Sequence, residues 1–168
     1  MRRIFIKTAV LAAVFLLAGV GAVFAASGDT LTIGGSVPLT LDLTVTPSGD
    51  QDNITLEGAG IGETWTVASI VIDTNASAGW ELWVFAANTD GSDTYLTNAD
   101  GDQIIYTIAY DGTGGGASAS VPTAGVKVGE EGAPNSAETG DLIVTYDQSN
   151  AYAAGYYSDL LTITLRAK

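Results

Sequence analysis

Carboxylates are the side chains of this sequence that are best placed to do chemistry, and they are densest between positions 90 and 102. Asp90, Asp100 and Asp102 lie in this segment together with Asn98, and clustered oxygen ligands suit Ca²⁺. The spacing departs from the calcium-loop pattern, because the twelfth position counted from Asn98 is Ala109, where a bidentate Glu is required. Asp-Gly pairs are also typical of hairpin turns. The sequence therefore favours turns here, with no metal site and no cofactor, and a calcium site is the alternative that it leaves open.

The residue types that are absent exclude several classes of activity. The chain has no His and no Cys, so thiol nucleophiles, Cys-based zinc sites and Ser-His-Asp triads are excluded. Paired carboxylates can hydrolyse glycosidic bonds, but no catalytic motif surrounds the glutamates of this sequence. The formal net charge of −13 argues against nucleic acid as a partner, because that affinity depends on Lys and Arg. We expect a protein that is not an enzyme.

The first 25 residues have the pattern of a secretory signal peptide. Three basic residues fall within the first seven, an uncharged apolar run follows at 8–24, and Val23 and Ala25 occupy the −3 and −1 positions of a cleavage site. The alternative is an uncleaved anchor, since 8–26 is about as long as a membrane span. Cleavage after Ala25 leaves three basic residues against nineteen acidic ones, a formal net charge of −16. We expect a secreted protein at the cell surface or in the periplasm.

The remaining sequence alternates between short strands and turns. Period-two alternation and β-branched residues favour strands separated by Gly-rich and Asp-rich turns. Residues 112–120 and 129–140 are predicted to be long surface loops. The pattern is typical of a single all-β domain, an immunoglobulin-like sandwich of about seven to nine strands. The predicted strands are 30–46 with a break at Gly34-Gly35, 54–57, 64–73, 80–87, 94–97, 104–110, 141–146 and 158–166.

Two aromatic groups are candidates for binding or for structure. Alternation from Trp80 onward places Leu82 and Val84 on the same face as that ring and Trp83 and Phe85 on the other face. The second face is predicted to be buried or to form a subunit interface, and the alternative is an aromatic surface for carbohydrate. Three tyrosines around Gly155 are predicted to pack their rings on the core and to bond their hydroxyls to backbone. They are Tyr152, Tyr156 and Tyr157.

Three short segments resemble a known family. They are residues 35–47, residues 74–82 with their Thr-Asn-Ala turn and Gly-Trp-Glu-Leu strand, and the closing Gly155-Tyr156-Tyr157-Ser158-Asp159 followed by an alternating terminal strand. These segments are similar to secreted β-sandwich subunits that include spore coat protein U and the chaperone–usher pilins. The resemblance implies a structural closing motif of Gly155, Tyr157 and Asp159, and a fimbrial or coat-like subunit. It also implies partners: other copies, homologous subunits, and a periplasmic chaperone and usher. The Cys pair that many such subunits carry is missing.

A second similarity implies a different function. Trp80-Glu81-Leu82 together with the closing strand resembles the Trp-x-Leu surface domains of Gram-positive cell walls, which attach noncovalently to peptidoglycan. The corresponding alternative is a monomeric β-sandwich that binds cell-envelope glycan. Their second motif has a Trp in the closing strand, where this chain has Ile163.

The predicted N-terminal extension, residues 26–36, precedes a domain at 37–168. An incomplete sandwich can accept a strand from a neighbouring chain through β-augmentation. Residues 27–35 are the candidate donor strand, with Leu31 and Ile33 as the side chains that would plug the recipient. The alternative is that both side chains pair within their own domain.

Overall fold

The fold comes from a computed structural model that describes residues 34–49, 51–52, 54, 56, 63–146 and 152–168. The chain divides into two compact units, Met1–Val37 and Pro38–Lys168. In the first unit, residues 34–37 are described, and they are exposed and outside any strand. The predicted signal peptide, Leu31 and Ile33 lie outside the described residues.

The second unit is built from strands. In its described residues it has eight strands and no helix, which confirms the all-β prediction and falls within the predicted range of strand number. All strand pairs are antiparallel, and they form a five-stranded sheet in the order β1-β2-β7-β5-β4 and a three-stranded sheet in the order β6-β3-β8. The strands are β1 Leu41–Pro47, β2 Glu63–Thr74, β3 Trp80–Ala86, β4 Thr94–Thr97, β5 Gln103–Tyr110, β6 Val126–Glu131, β7 Asn135–Tyr146 and β8 Leu161–Ala167.

One hydrophobic core takes side chains from both sheets. Alternate residues of the central strands point into it, as period-two patterning requires. Burial of these side chains supplies the main favourable free energy of folding, in a chain that has no disulfide to help. The most deeply buried apolar side chains are Ile70, Ile72, Trp80, Leu82, Val84, Ile104, Ile108, Tyr110, Val121, Leu142 and Tyr146.

Four sequence predictions are wrong in detail. The strand expected at 36–46 begins only at Leu41, since residues 36–40 belong to no strand and Val37 and Leu39 are exposed. Tyr156, expected to pack on the core, is 68% exposed.

The expected strand at 54–57 is not seen in its described residues, since Ile54 and Leu56 belong to no strand, although both pack against the core. The expected loop at 129–140 instead contains the end of β6 and the first half of β7. Its Gly and Glu residues have low strand propensity, but backbone ladders with β3 and β2 hold them extended.

A tight connection joins the two sheets between β2 and β3. Gly79 lies in it with a φ of +90°, a conformation that other residues rarely adopt. A Cβ atom at this position would overlap the backbone carbonyl of Glu131. Only glycine therefore fits between the turn and the end of β6.

Candidate functional site

The free edge of β8 carries apolar side chains that are incompletely covered. Among the described strands β8 pairs only with β3, where Ile163 lies opposite Val84 and Leu165 opposite Leu82. Val84 and Leu82 are 0% exposed, whereas Ile163 and Leu165 are half-buried. The difference follows from position, because β3 has a neighbour on each side and β8 has a neighbour on one side.

A second free edge lies close to the first. β1 ends the five-stranded sheet and pairs, among the described strands, with β2 alone. Its core-facing Leu41 and Leu43 are half-buried, and Val45 is 37% exposed. Cα atoms of β1 and β8 approach within 8 Å, although the two strands belong to different sheets. We call these two strands and their core-facing apolar side chains the β1–β8 edge.

The chain is clamped where it enters β1. The Asn75 side chain accepts a hydrogen bond from the Thr40 amide and donates one to the Pro38 carbonyl, both at 2.7 Å. The Thr74 hydroxyl donates to the Thr40 carbonyl at 2.9 Å. These bonds, which we call the clamp, hold Pro38 and Thr40 against the end of β2.

Two of the three predicted residues of the closing motif, Asp159 and Tyr157, make hydrogen bonds to other parts of the domain. Asp159 accepts hydrogen bonds from the Tyr106 hydroxyl at 2.6 Å and from the amides of Asn88 and Leu160. The Tyr157 hydroxyl donates to the Ala153 carbonyl, four residues earlier in the chain. The motif therefore ties the segment before β8 to β5 and to the end of β3.

Gly155 is the third residue of this motif, and it packs against the Asp-rich turn. A Cβ atom here would come within 3.3 Å of the Asn98 side chain. An open cavity of about 440 Å³ lies beside this contact, between Asp100 and Tyr156. The contact leaves little space for a larger residue at position 155.

The carboxylates between positions 90 and 102 serve the turns themselves. Asn98 Oδ1 accepts the amides of Asp100 and Asp102, while Asp102 Oδ2 accepts from Asn98 Nδ2. Asp90 Oδ1 accepts the amides of Asp93 and Ser92, and these bonds lower the pKa of that carboxyl. No group of three or more carboxylates able to hold a metal is found among the residues described.

Trp83 and Phe85 lie together on the face of β3 that points away from the core. Both are half-buried, and the guanidinium carbon of Arg166 lies 4.7 Å from the Trp83 ring centroid and 5.6 Å from that of Phe85. Gly125 lies so close to Phe85 that a Cβ atom would overlap the ring. Arg166 and Gly125 cover part of these rings, so a sugar cannot stack there.

Ion pairs surround this aromatic pair. Glu81 accepts a hydrogen bond from Trp83 Nε1 at 2.9 Å and pairs with Lys127 at 3.4 Å. Lys127 and Lys168 both pair with Glu130, at 2.8 and 3.0 Å. The Trp83 hydrogen bond, followed by Lys127, lowers the pKa of Glu81, and the two lysines lower that of Glu130.

Sequence reasoning missed two features of these surfaces. Alternation identified the core face of β3 but could not show which strands end each sheet, because strand order depends on long-range pairing. Arg166 was not singled out, although it is one of only three basic residues after position 7. That scarcity was the signal that could have found it.

Comparison with known proteins does not assign this fold or these surfaces to a family. No protein-family model matches the chain, and no curated protein matches its sequence. In the part of the chain that the structure describes, no helix is long and apolar enough to cross a membrane.

Proposed function

We propose that this protein is a secreted, non-enzymatic structural subunit of a cell-surface assembly, and that its copies join by strand donation. In this proposal residues 38–168 form an immunoglobulin-like, pilin-like β-sandwich that is incomplete at the β1–β8 edge. Residues 27–35 of one copy add a strand to that edge of the next copy. The observation that carries the proposal is the half-buried state of Ile163 and Leu165 beside fully buried partners on β3.

The donor segment has the periodicity that this edge requires. Leu31 and Ile33 are two residues apart, as are Ile163 and Leu165, so both pairs would project from one face of a strand at about 6.7 Å spacing. In the proposed polymer, Leu31 and Ile33 would cover the half-buried Ile163 and Leu165 and would remove further apolar surface from water. Full burial of both plugs would contribute roughly 3–6 kcal/mol before the entropy of ordering is deducted.

The exposed, clamped exit of the chain supports donation to another copy. Asn75 and Thr74 hold the segment at Pro38 and Thr40, and residues 34–37 beyond it are exposed. Gly34 and Gly35 allow the chain to leave in many directions. Neighbouring strands lie about 4.8 Å apart, so a strand between β8 and β1 needs nearly 10 Å. Cα atoms of β1 and β8 approach within 8 Å. At those positions an added donor strand must move the two strands apart.

Size-exclusion chromatography with light scattering on the mature chain tests this proposal. Wild type should form polymers that persist at high salt, and Leu31→Asp/Ile33→Asp should abolish these salt-resistant polymers, because each charge would enter an apolar site unpaired. The matched control is Thr30→Asp/Thr32→Asp, which adds the same charge on the opposite face of the segment and should still polymerise. A wild type that stays monomeric at high concentration, or a plug variant that forms the same salt-resistant polymers as wild type, would show that this segment is not the donor.

A glycan-binding monomer is the second function that the sequence raised. Arg166 covers the Trp83 and Phe85 rings, so no observation of the described residues favours it over assembly. Saturable binding of a monomer to peptidoglycan would support this alternative and would contradict the proposed polymer.

A further inference from the structure

Arg166 is a charged side chain that makes no ion pair with the residues that the structure describes. Lys127 and Lys168 make all the ion pairs found among the described residues, and Arg166 makes none of them. This is unexpected in a chain with nineteen acidic residues. The nearest candidate is Glu81, which lies directly opposite Arg166 in the β3–β8 register. The Glu81 carboxylate, however, is already bound by Trp83 Nε1 and Lys127.

The Arg166 guanidinium is held in place on an exposed surface. It stacks over Trp83 and Phe85 while the residue itself remains exposed. Stacking uses the flat face of a guanidinium and leaves its N–H groups free at the rim, where they match a carboxylate. Because the rings already restrict the side chain, less entropy is lost when it binds. Arg and Trp are also the residues most enriched at the centres of protein interfaces.

The chain carries a complementary surface on its other sheet. Asp42 and Asp73 lie directly opposite each other in the β1–β2 register, and both are exposed. Neither makes an ion pair with a residue that the structure describes. Like charges opposite one another destabilise a sheet, so this pair carries a local cost that a cation between the two carboxylates would remove.

We propose that the Arg166 face of one copy docks on the Asp42–Asp73 pair of a second copy. The two surfaces are on different sheets, so the contact is heterologous and can repeat from copy to copy. It is a second contact, separate from strand donation. It rests on the proposed function only in that a polymer would hold copies close together and raise their effective concentration.

Charge complementarity favours a second copy over an anionic polysaccharide. A polyanion would bring further negative charge to a chain whose basic residues are few, and it would meet Glu81 and Glu130 beside Arg166. A second copy presents a local pair of exposed carboxylates rather than a continuous run of negative charge. At physiological ionic strength charges more than about 8 Å apart are largely screened, so the net negative charge does not prevent this local pairing.

A charge-swap experiment tests the contact without strand donation. All chains carry Leu31→Asp/Ile33→Asp, and sedimentation velocity measures association over a range of concentrations at low and high salt. The parent should associate, and association should weaken at high salt. Arg166→Glu alone and Asp42→Arg/Asp73→Arg alone should each associate at least about tenfold more weakly. An equimolar mixture of these two variants should associate again, because the changed surface of each variant meets a surface of opposite charge on the other.

Several results would overturn this inference. They are a parent that stays monomeric to its solubility limit, charge variants that associate like the parent, and a mixture that does not recover. Binding of the monomeric parent to polygalacturonate, lost in Arg166→Glu, would assign the face to an anionic glycan instead. Failure of strand donation would be seen separately, as plug substitutions that leave wild-type polymers unchanged. Circular dichroism of each variant confirms that it is folded.

Discussion

The hydroxyl of Tyr106 donates a 2.6 Å hydrogen bond to the carboxylate of Asp159. Tyr106 belongs to β5 in the five-stranded sheet, whereas Asp159 lies just before β8 of the three-stranded sheet. The bond therefore links the two sheets near the start of β8. Burial first, and then this bond, raises the pKa of Tyr106 well above its ordinary value, so the hydroxyl keeps its proton.

Removing this hydroxyl should destabilise the protein. Tyr106→Phe should lower the free energy of unfolding by about 1.5–3 kcal/mol, the usual range for a hydrogen bond to a charged group. In an Asp159→Ala background the same change should cost much less, because the acceptor is already gone. Urea unfolding of the four proteins of this cycle measures the coupling. If Tyr106→Phe lowers the free energy of unfolding equally in both backgrounds, the hydrogen bond to Asp159 does not contribute to stability.

Two buried tyrosines should make the protein sensitive to alkali. Burial, together with the charges of Glu138 and Asp111, raises the pKa of Tyr110 to about 12, and the pKa of Tyr106 is raised as well. In the unfolded chain both titrate near pH 10. Their contribution to stability is therefore complete below about pH 10 and is lost progressively as the pH rises above it. The midpoint of urea unfolding, measured from about pH 8 to pH 12, should decrease as the pH rises above about 10.

Tyr110→Phe separates this effect from general alkaline unfolding. It should reduce the fall in stability above about pH 10. Near neutral pH it should be neutral or slightly stabilising, because the Tyr110 hydroxyl is buried without a hydrogen-bond partner among the described residues. An unchanged pH profile in this variant would contradict a role for Tyr110.

Local patterning predicted most of the strands, although the alternation at residues 36–40 lies outside any strand. The faces of β3 follow directly from its sequence, since Trp80, Leu82 and Val84 are apolar and every second residue shares a face. β6 was missed because Gly129, Glu130 and Glu131 lack β propensity, and pairing with β3 overrides that preference. Propensity is local, whereas this ladder is formed by residues about fifty positions apart.

Long-range register determines the two candidate surfaces, so sequence reasoning could not locate them. Arg166 lies opposite Glu81, and Asp42 lies opposite Asp73, only because particular strands pair in a particular register. A shift by one residue would move each side chain to the other face of its sheet. The proposal of a donor segment at 27–35 comes from sequence alone, since its alternation and its Gly-Gly boundary are local features.

Ala137 should be replaceable by glycine with a gain in stability. It has a φ of 56°, in the left-handed region that disfavours residues with a Cβ atom, and it lies in β7 where the register with β2 is irregular. Ala137→Gly should raise the free energy of unfolding by about 0.5–1 kcal/mol. The matched control is Ala109→Gly within β5, which should lower it by a similar amount. Urea unfolding that shows destabilisation at both positions would contradict the strained conformation of Ala137.

A free peptide should complete the β1–β8 edge if this edge is a strand acceptor. The mature Leu31→Asp/Ile33→Asp chain cannot donate its own segment, so its acceptor edge should remain open. A synthetic peptide of residues 27–35 with the wild-type sequence should bind there and cover Ile163 and Leu165, which are half-buried without it.

Binding to the native state raises stability by mass action, by about 2.7 kcal/mol at a hundredfold excess over Kd. The Tm of the plug variant should therefore rise by several degrees as peptide is added. The control peptide carries Leu31→Asp/Ile33→Asp and should leave the Tm unchanged, since its backbone can still pair but its charges cannot enter the apolar site. Equal shifts with the two peptides would show that plug side chains do not matter. The absence of any shift at saturating peptide would show that the β1–β8 edge does not accept this strand.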